Sequence, residues 1–194
     1  MAKKTTTTKA TAMPLVPRTE IGFPPFVGSN PEILILGEFP GPKSLSTRHL
    51  CNRCYLTGSP CTNHPCTGRY YEHSKNVFRD IIANKYNGGV SFKTYDDFLK
   101  CLDTNHIALW DVFSTRTYVG KITLIQTLND LSAFLRNYPS ICKIIFNGQK
   151  AQDYFNSLFP FTGIKVCAPS SSWQNNSTDI KYKKNFTKWD NLLP

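Results

Sequence analysis

The chain has 194 residues, 40% of them hydrophobic and 13% aromatic, and carries a net charge of +10. That is enough apolar material to build the core of one domain, which excludes a globally disordered chain. No apolar run approaches the ~20 residues of a membrane span and no signal peptide opens the sequence, so neither membrane insertion nor secretion is expected. The positive charge suits a polyanionic partner, nucleic acid first, although a merely soluble basic protein has the same balance.

Taken in chain order, residues 1–20 read as a disordered basic tail. The first 18 hold Lys3, Lys4, Lys9 and Arg18, five threonines and no acid, which leaves +6 on the rest. Such a stretch cannot bury apolar surface. Residues 21–194 read as a single domain. Its first element is the apolar run Ile33-Leu34-Ile35-Leu36, which stops at Gly37 like a buried parallel strand.

Next comes a segment rich in cysteine, glycine, proline and threonine. Cys51, Cys54, Cys61 and Cys66 fall within 16 residues as C-x2-C-x6-C-x4-C, with His49 and His64 nearby. Four thiolates on a loop with almost no core of its own can close a tetrahedral structural zinc site. An iron–sulfur cluster is the runner-up, and a histidine could replace one cysteine. Cys101, Cys142 and Cys167 sit in apolar contexts and are expected to be inert core residues.

Beyond the cysteines, Ser74 can cap a helix that carries Val77, Phe78, Ile81 and Ile82 on one face. Thr94 with Asp97 forms a capping-box pattern ahead of Phe98, Leu99 and Leu102. Ile107-Ala108-Leu109-Trp110 is a second strand, ending at Asp111. Leu124, Leu128, Leu131 and Leu135 have the spacing of a helical stripe. Ile144-Ile145-Phe146 and Lys165-Val166-Cys167 are further strands, with a helix marked by Ala151, Tyr154, Phe155 and Leu158 between them. Lysines among Tyr182, Phe186 and Trp189 close the chain, suited either to nucleic acid or to a last helix packed on the core. Alternating strands and helices predict a three-layer α/β sandwich around a central, mainly parallel four-stranded sheet. Ligands on such sheets bind at the carboxyl ends of the strands, which draws attention to 38–41, 111–116, 147–148 and 168–173.

The residues at those ends form a series. Gly37-Glu38-Phe39-Pro40-Gly41-Pro42-Lys43-Ser44-Leu45 is followed by Tyr70-Tyr71-Glu72-His73-Ser74-Lys75-Asn76-Val77-Phe78. Ala108-Leu109-Trp110-Asp111-Val112, Phe146-Asn147-Gly148-Gln149-Lys150-Ala151 and Pro169-Ser170-Ser171-Ser172 come after it. These blocks, in this order over roughly residues 30–175, resemble the uracil-DNA glycosylase superfamily, and within it the hypoxanthine-DNA glycosylase branch most. The departures are specific. Glu38 stands where the branch has serine, Ser74-Lys75 where it has Pro–Arg, Arg79 where it has an aromatic, and Trp173 closes the last block in place of proline. Residues 46–69, with all four clustered cysteines, look inserted.

The resemblance implies a monofunctional DNA glycosylase that flips out a deaminated base, hypoxanthine or uracil, and excises it by water attack at C1′ in base excision repair. No cofactor is needed for that step. Other readings are an inactive nucleic-acid-binding relative and a glycosylase for another modified base. Many members of the superfamily orient the water with Asp or Asn at the third position of the first block. That position is Phe39 here, so Asn76 is the preferred water-positioning residue, with Glu38 the other catalytic candidate. Residue by residue, the resemblance places Phe39, Tyr71, Asp111 and Asn147 at the base. Tyr71 stacks on it and Asp111 accepts its ring N–H. The DNA backbone and vacated stack fall to Ser44, His73, Lys75, Ser170, Ser171, Ser172 and Trp173. The expected partner is DNA carrying a damaged or deaminated base, with no membrane partner. The expected state is a monomer inside the cell, and the basic tail points to the nucleus.

Overall fold

The computed structural model describes residues 16–41, 44–45, 69–71, 76–119, 122–172 and 179–194. Four apolar runs form the strands of one parallel sheet: β2 (Ile33–Gly37), β3 (Ile107–Asp111), β6 (Lys143–Asn147) and β7 (Ile164–Ala168), in the order β3-β2-β6-β7. Every residue of β2 and β3 is buried, which explains their unbroken apolar sequence: each strand is covered on both faces. The chain enters at a central strand, crosses to β3 on one side and then returns past β2 to β6 on the other. That reversal is a topological switch point at the carboxyl ends of β2 and β6.

Helices fill both faces. Crossovers between parallel strands, which are right-handed as a rule, put α1 (Phe78–Tyr86) and α2 (Tyr95–Thr104) on one face, and α3 (Leu131–Asn137) and α4 (Gln149–Leu158) on the other. Ring contacts agree with this. Phe78 of α1 lies against Phe98 of α2, 6.2 Å between centroids, and against Trp189 of the last helix, α5 (Asp179–Leu192), at 5.4 Å. On the opposite face Trp110 packs on Phe134 of α3 at 4.7 Å, and Phe146 on Phe155 of α4 at 5.4 Å. The basic, aromatic C-terminus is therefore a core helix at Trp189, which is fully buried and donates its Nε1–H to the carbonyl of Pro169 at 2.8 Å.

The capping box forms as its residues predict. Thr94 Oγ1 accepts from Asp97 N, and Asp97 Oδ2 from Thr94 N, both at 3.0 Å. Ser74 lies outside the described residues. Helix α1 starts at Phe78, whose backbone N–H donates to Asn76 Oδ1 at 2.9 Å.

Three expectations are corrected. The stripe from Leu124 to Leu135 is not one helix: 122–128 form strand β5 (Ile122–Leu128), and a helix begins only at Leu131, where Asp130 Oδ1 accepts from Ala133 N at 2.8 Å. Strand β5 pairs antiparallel with β4 (Phe113–Val119), and β4 pairs with β1 (Arg18–Ile21), giving a second three-stranded sheet in the order β1-β4-β5. The boundary set at residue 20 for the tail falls inside β1, because Arg18–Ile21 pairs with Thr115–Tyr118. Of the three cysteines assigned to the core, Cys101 and Cys167 are half-buried, but Cys142 is exposed at the entry to β6. Among the described residues no helix is long and apolar enough to cross a membrane.

Candidate active site

Side chains alternate along a strand, so the faces of the sheet decide what gathers at its end. In register, Leu36 partners Trp110 and Phe146, and Trp110 and Phe146 face α3 and α4. The next residue of each strand turns the other way. Gly37, Asp111 and Asn147 thus end their strands facing the α1 side, with Gly37 paired to Asp111 and Asn147 to Ala168.

Above this row lies a cleft of about 670 Å³. Its lining includes Glu38, Phe39, Ser44, Tyr71, Asn76, Asp111, Asn147, Ser170, Ser171 and Ser172. Every candidate within the described residues is therefore brought to one place. His73, Lys75, Trp173 and the four clustered cysteines lie outside the described residues, and among the described ones no cluster of His, Cys, Asp or Glu could hold a metal.

Asp111 is 3% exposed, and among the described residues nothing pairs with its Oδ2. Burial pushes its carboxyl up to about 7; Arg116 opposes the rise and Glu38 adds to it. The strand end is braced from below, where Asn129 Nδ2 donates to the Asp111 carbonyl at 2.8 Å. Tyr71 has a left-handed backbone, φ 57°, which costs a tyrosine about 1–2 kcal/mol and marks a conformation imposed by its surroundings. Its ring packs on Phe78 at 4.2 Å. Burial, followed by the charge of Asp111, holds its hydroxyl above the ordinary tyrosine range, while the Asn147 hydrogen bond works against them.

Glu38 is turned to one side. Its Oε1 is 2.5 Å from Arg116 Nη2 of β4, and the guanidinium lies over the Phe39 ring at 4.7 Å. Asn76 is differently placed: it is half-buried in the cleft lining, and its Oδ1 already accepts from Phe78 N, which fixes the amide. Asn147 donates to Tyr71 Oη at 3.0 Å and Ser171 Oγ at 2.9 Å, and accepts from Ser171 N at 2.7 Å. Ser171 is 1% exposed and turned inward; Ser170 and Ser172 are the half-buried members of the loop. Sequence reasoning missed the cleft residues Gln149 and Lys150, at the N-terminus of α4. Nor did it pair Arg116 with Glu38. The run Phe113–Val119, rich in β-branched and aromatic residues, was the available signal for β4, but the position of β4 beside Glu38 depends on the second sheet.

A cleft with a buried acid, an aromatic wall and a serine loop at a switch point can hold a planar, hydrogen-bonding ligand joined to a phosphate backbone. Comparison with known proteins points the same way. No family model matches the chain. A hypoxanthine DNA glycosylase from Methanosarcina acetivorans is 28% identical over 173 residues, which cover 87% of this chain and 94% of that protein. Another from Methanosarcina barkeri is 30% identical over 136 residues, covering 69% of this chain and 73% of the relative. The solution NMR structure of a candidate uracil DNA glycosylase from Methanosarcina acetivorans superposes with a TM-score of 0.71 at 26% identity, covering 91% of this chain and 97% of that one. On fold, cleft and relatives together, the chain belongs to the hypoxanthine-DNA glycosylase branch of the uracil-DNA glycosylase superfamily.

Proposed function

We propose that the chain is a monofunctional DNA glycosylase that takes a deaminated base, hypoxanthine first, into this cleft and hydrolyses its N-glycosidic bond. The observation that carries the reading is the convergence of Asn76, Tyr71 and Asp111 on one cleft at the carboxyl ends of the parallel strands. A base must leave the stack before an enzyme can work on it, and the flipped base needs a flat wall and a partner for its edge. Tyr71, backed by Phe78, supplies the wall. Ionised Asp111 accepts the ring N–H that deamination creates, N1–H of hypoxanthine or N3–H of uracil. Bond cleavage puts positive charge on the sugar and negative charge on the base, so the nucleophile can be weak and needs chiefly to be oriented. Asn76 does this: with one lone pair of Oδ1 held by Phe78 N, the other lone pair and Nδ2 fix a water facing C1′. Glu38, held by Arg116, supports the Phe39 wall. Ser170 and Ser172 grip the backbone.

The test is mass spectrometry of the base released from defined duplexes that carry hypoxanthine, uracil or no lesion. Free hypoxanthine with no release from undamaged DNA supports the reading. Tight binding with no base released would favour a binding protein that has lost the chemistry.

A further inference from the structure

Asn147 ends β6 inside the cleft assigned above to a flipped base, yet its amide faces protein. A carboxamide has two N–H donors. One goes to Tyr71 Oη at 3.0 Å and the other to Ser171 Oγ at 2.9 Å, while Oδ1 takes the Ser171 N–H at 2.7 Å. Nothing is left to donate to a base. The side chain instead joins pieces of chain that are far apart in sequence. Ser171, buried by these bonds, accepts through its carbonyl from Val77 N at 3.2 Å, next to Asn76. Gly148, at φ 106°, lets the serine loop close in: a β-carbon there would lie 3.1 Å from Ser170 Cβ. Contacts on the Tyr71 side chain, among them the Phe78 ring and the Asn147 amide, hold it in its left-handed conformation.

We propose that Asn147 is a positioning residue, a latch that holds the Tyr71 wall, the Ser170–Ser172 loop and the Asn76 turn in a single geometry, so that gripping the DNA backbone and forming the base pocket are one event. The inference rests on the glycosylase reading. Without the latch, each segment keeps its own contacts to DNA but not its place relative to the others. The loss then falls on the reacting geometry, where a misplacement of about 1 Å costs on the order of 100-fold, and not on binding.

A double-mutant cycle on a hypoxanthine duplex tests this, reading single-turnover excision and lesion-DNA Kd for each variant. Tyr71→Phe keeps the ring and removes the hydroxyl. Asn147→Ala should slow excision by ~30-fold or more with Kd nearly unchanged, and the double variant should be no slower than Asn147→Ala alone. Asn147→Asp should recover much of the rate, because a carboxylate accepts from Ser171 N and from both hydroxyls. If the two losses multiply, Asn147 acts on the substrate directly and the latch is wrong. Should Asn147→Ala melt below the assay temperature, Tyr71→Phe with Ser171→Ala runs the same cycle across the two arms of the latch, again with losses smaller than their product expected. A parent that releases no deaminated base removes the functional reading and the latch with it; an active parent with multiplying losses removes the latch alone.

Discussion

The carboxyl of Asp111 rests over Gly37, its register partner on the neighbouring strand, in space that a β-carbon at Gly37 would occupy. The glycine is thus required for close approach, and Gly37→Ala would force a buried acid out of position. The expected cost is about 1–3 kcal/mol in unfolding free energy, seen in denaturant melts, with hypoxanthine excision lowered ~10-fold or more. Unchanged excision would separate the placement of Asp111 from base recognition.

Burial drives the Asp111 carboxyl up to about 7, and accepting a ring N–H requires the ionised form. Single-turnover excision should therefore rise with pH through about 7 and level off above it, and Asp111→Asn should lose the rise. Stability runs the other way. A folded-state value raised above the unfolded one leaves stability complete below the unfolded value, near 4, and removes it as pH climbs through about 7. Asp111→Asn should accordingly melt above the parent at pH 8, with the gap closing toward pH 4. A parental rate that falls as pH rises would show that the neutral acid is the working form.

The cysteine spacing motivates a separate proposal, a structural zinc held by Cys51, Cys54, Cys61 and Cys66. Elemental analysis of the purified protein should find about one zinc per chain, lost when these residues become serine. Iron with visible absorbance would favour the cluster, and a folded, metal-free protein would remove both.

Much of the parallel sheet was legible because Ile33–Leu36, Ile107–Trp110 and Ile144–Phe146 are buried on both faces, and burial on both faces writes itself as an unbroken apolar run. The capping box at Thr94 is equally local. The hairpin was not legible: Leu124 and Leu128 fall in helical step with Leu131 and Leu135, while the strand signal, the β-branched Ile122, Thr123, Ile125 and Thr127, is interleaved with the same leucines. With Ile122, Ile125 and Leu128 all exposed, no buried face separates the two periods in seven residues. At the site, residue types and order marked Asn76, Tyr71, Asp111 and Asn147. What each amide or carboxylate faces was beyond reach, since the Asn147 partners are 76 and 24 residues away. In the same way the pairing of Glu38 with Arg116 depends on where β4 lies, which no local pattern records.

The most direct test of the account compares the parent with Asn76→Ala and Glu38→Gln in single-turnover excision from a hypoxanthine duplex. Asn76 is expected to act only in the transition state, so Asn76→Ala should be slower by ~100-fold or more while lesion-DNA affinity stays nearly constant. Glu38→Gln, which loosens the Arg116 pair and removes one negative charge near Asp111, should cost a few-fold. If Glu38→Gln abolishes excision and Asn76→Ala is mild, a carboxylate base drives the reaction and the role given to Asn76 is contradicted.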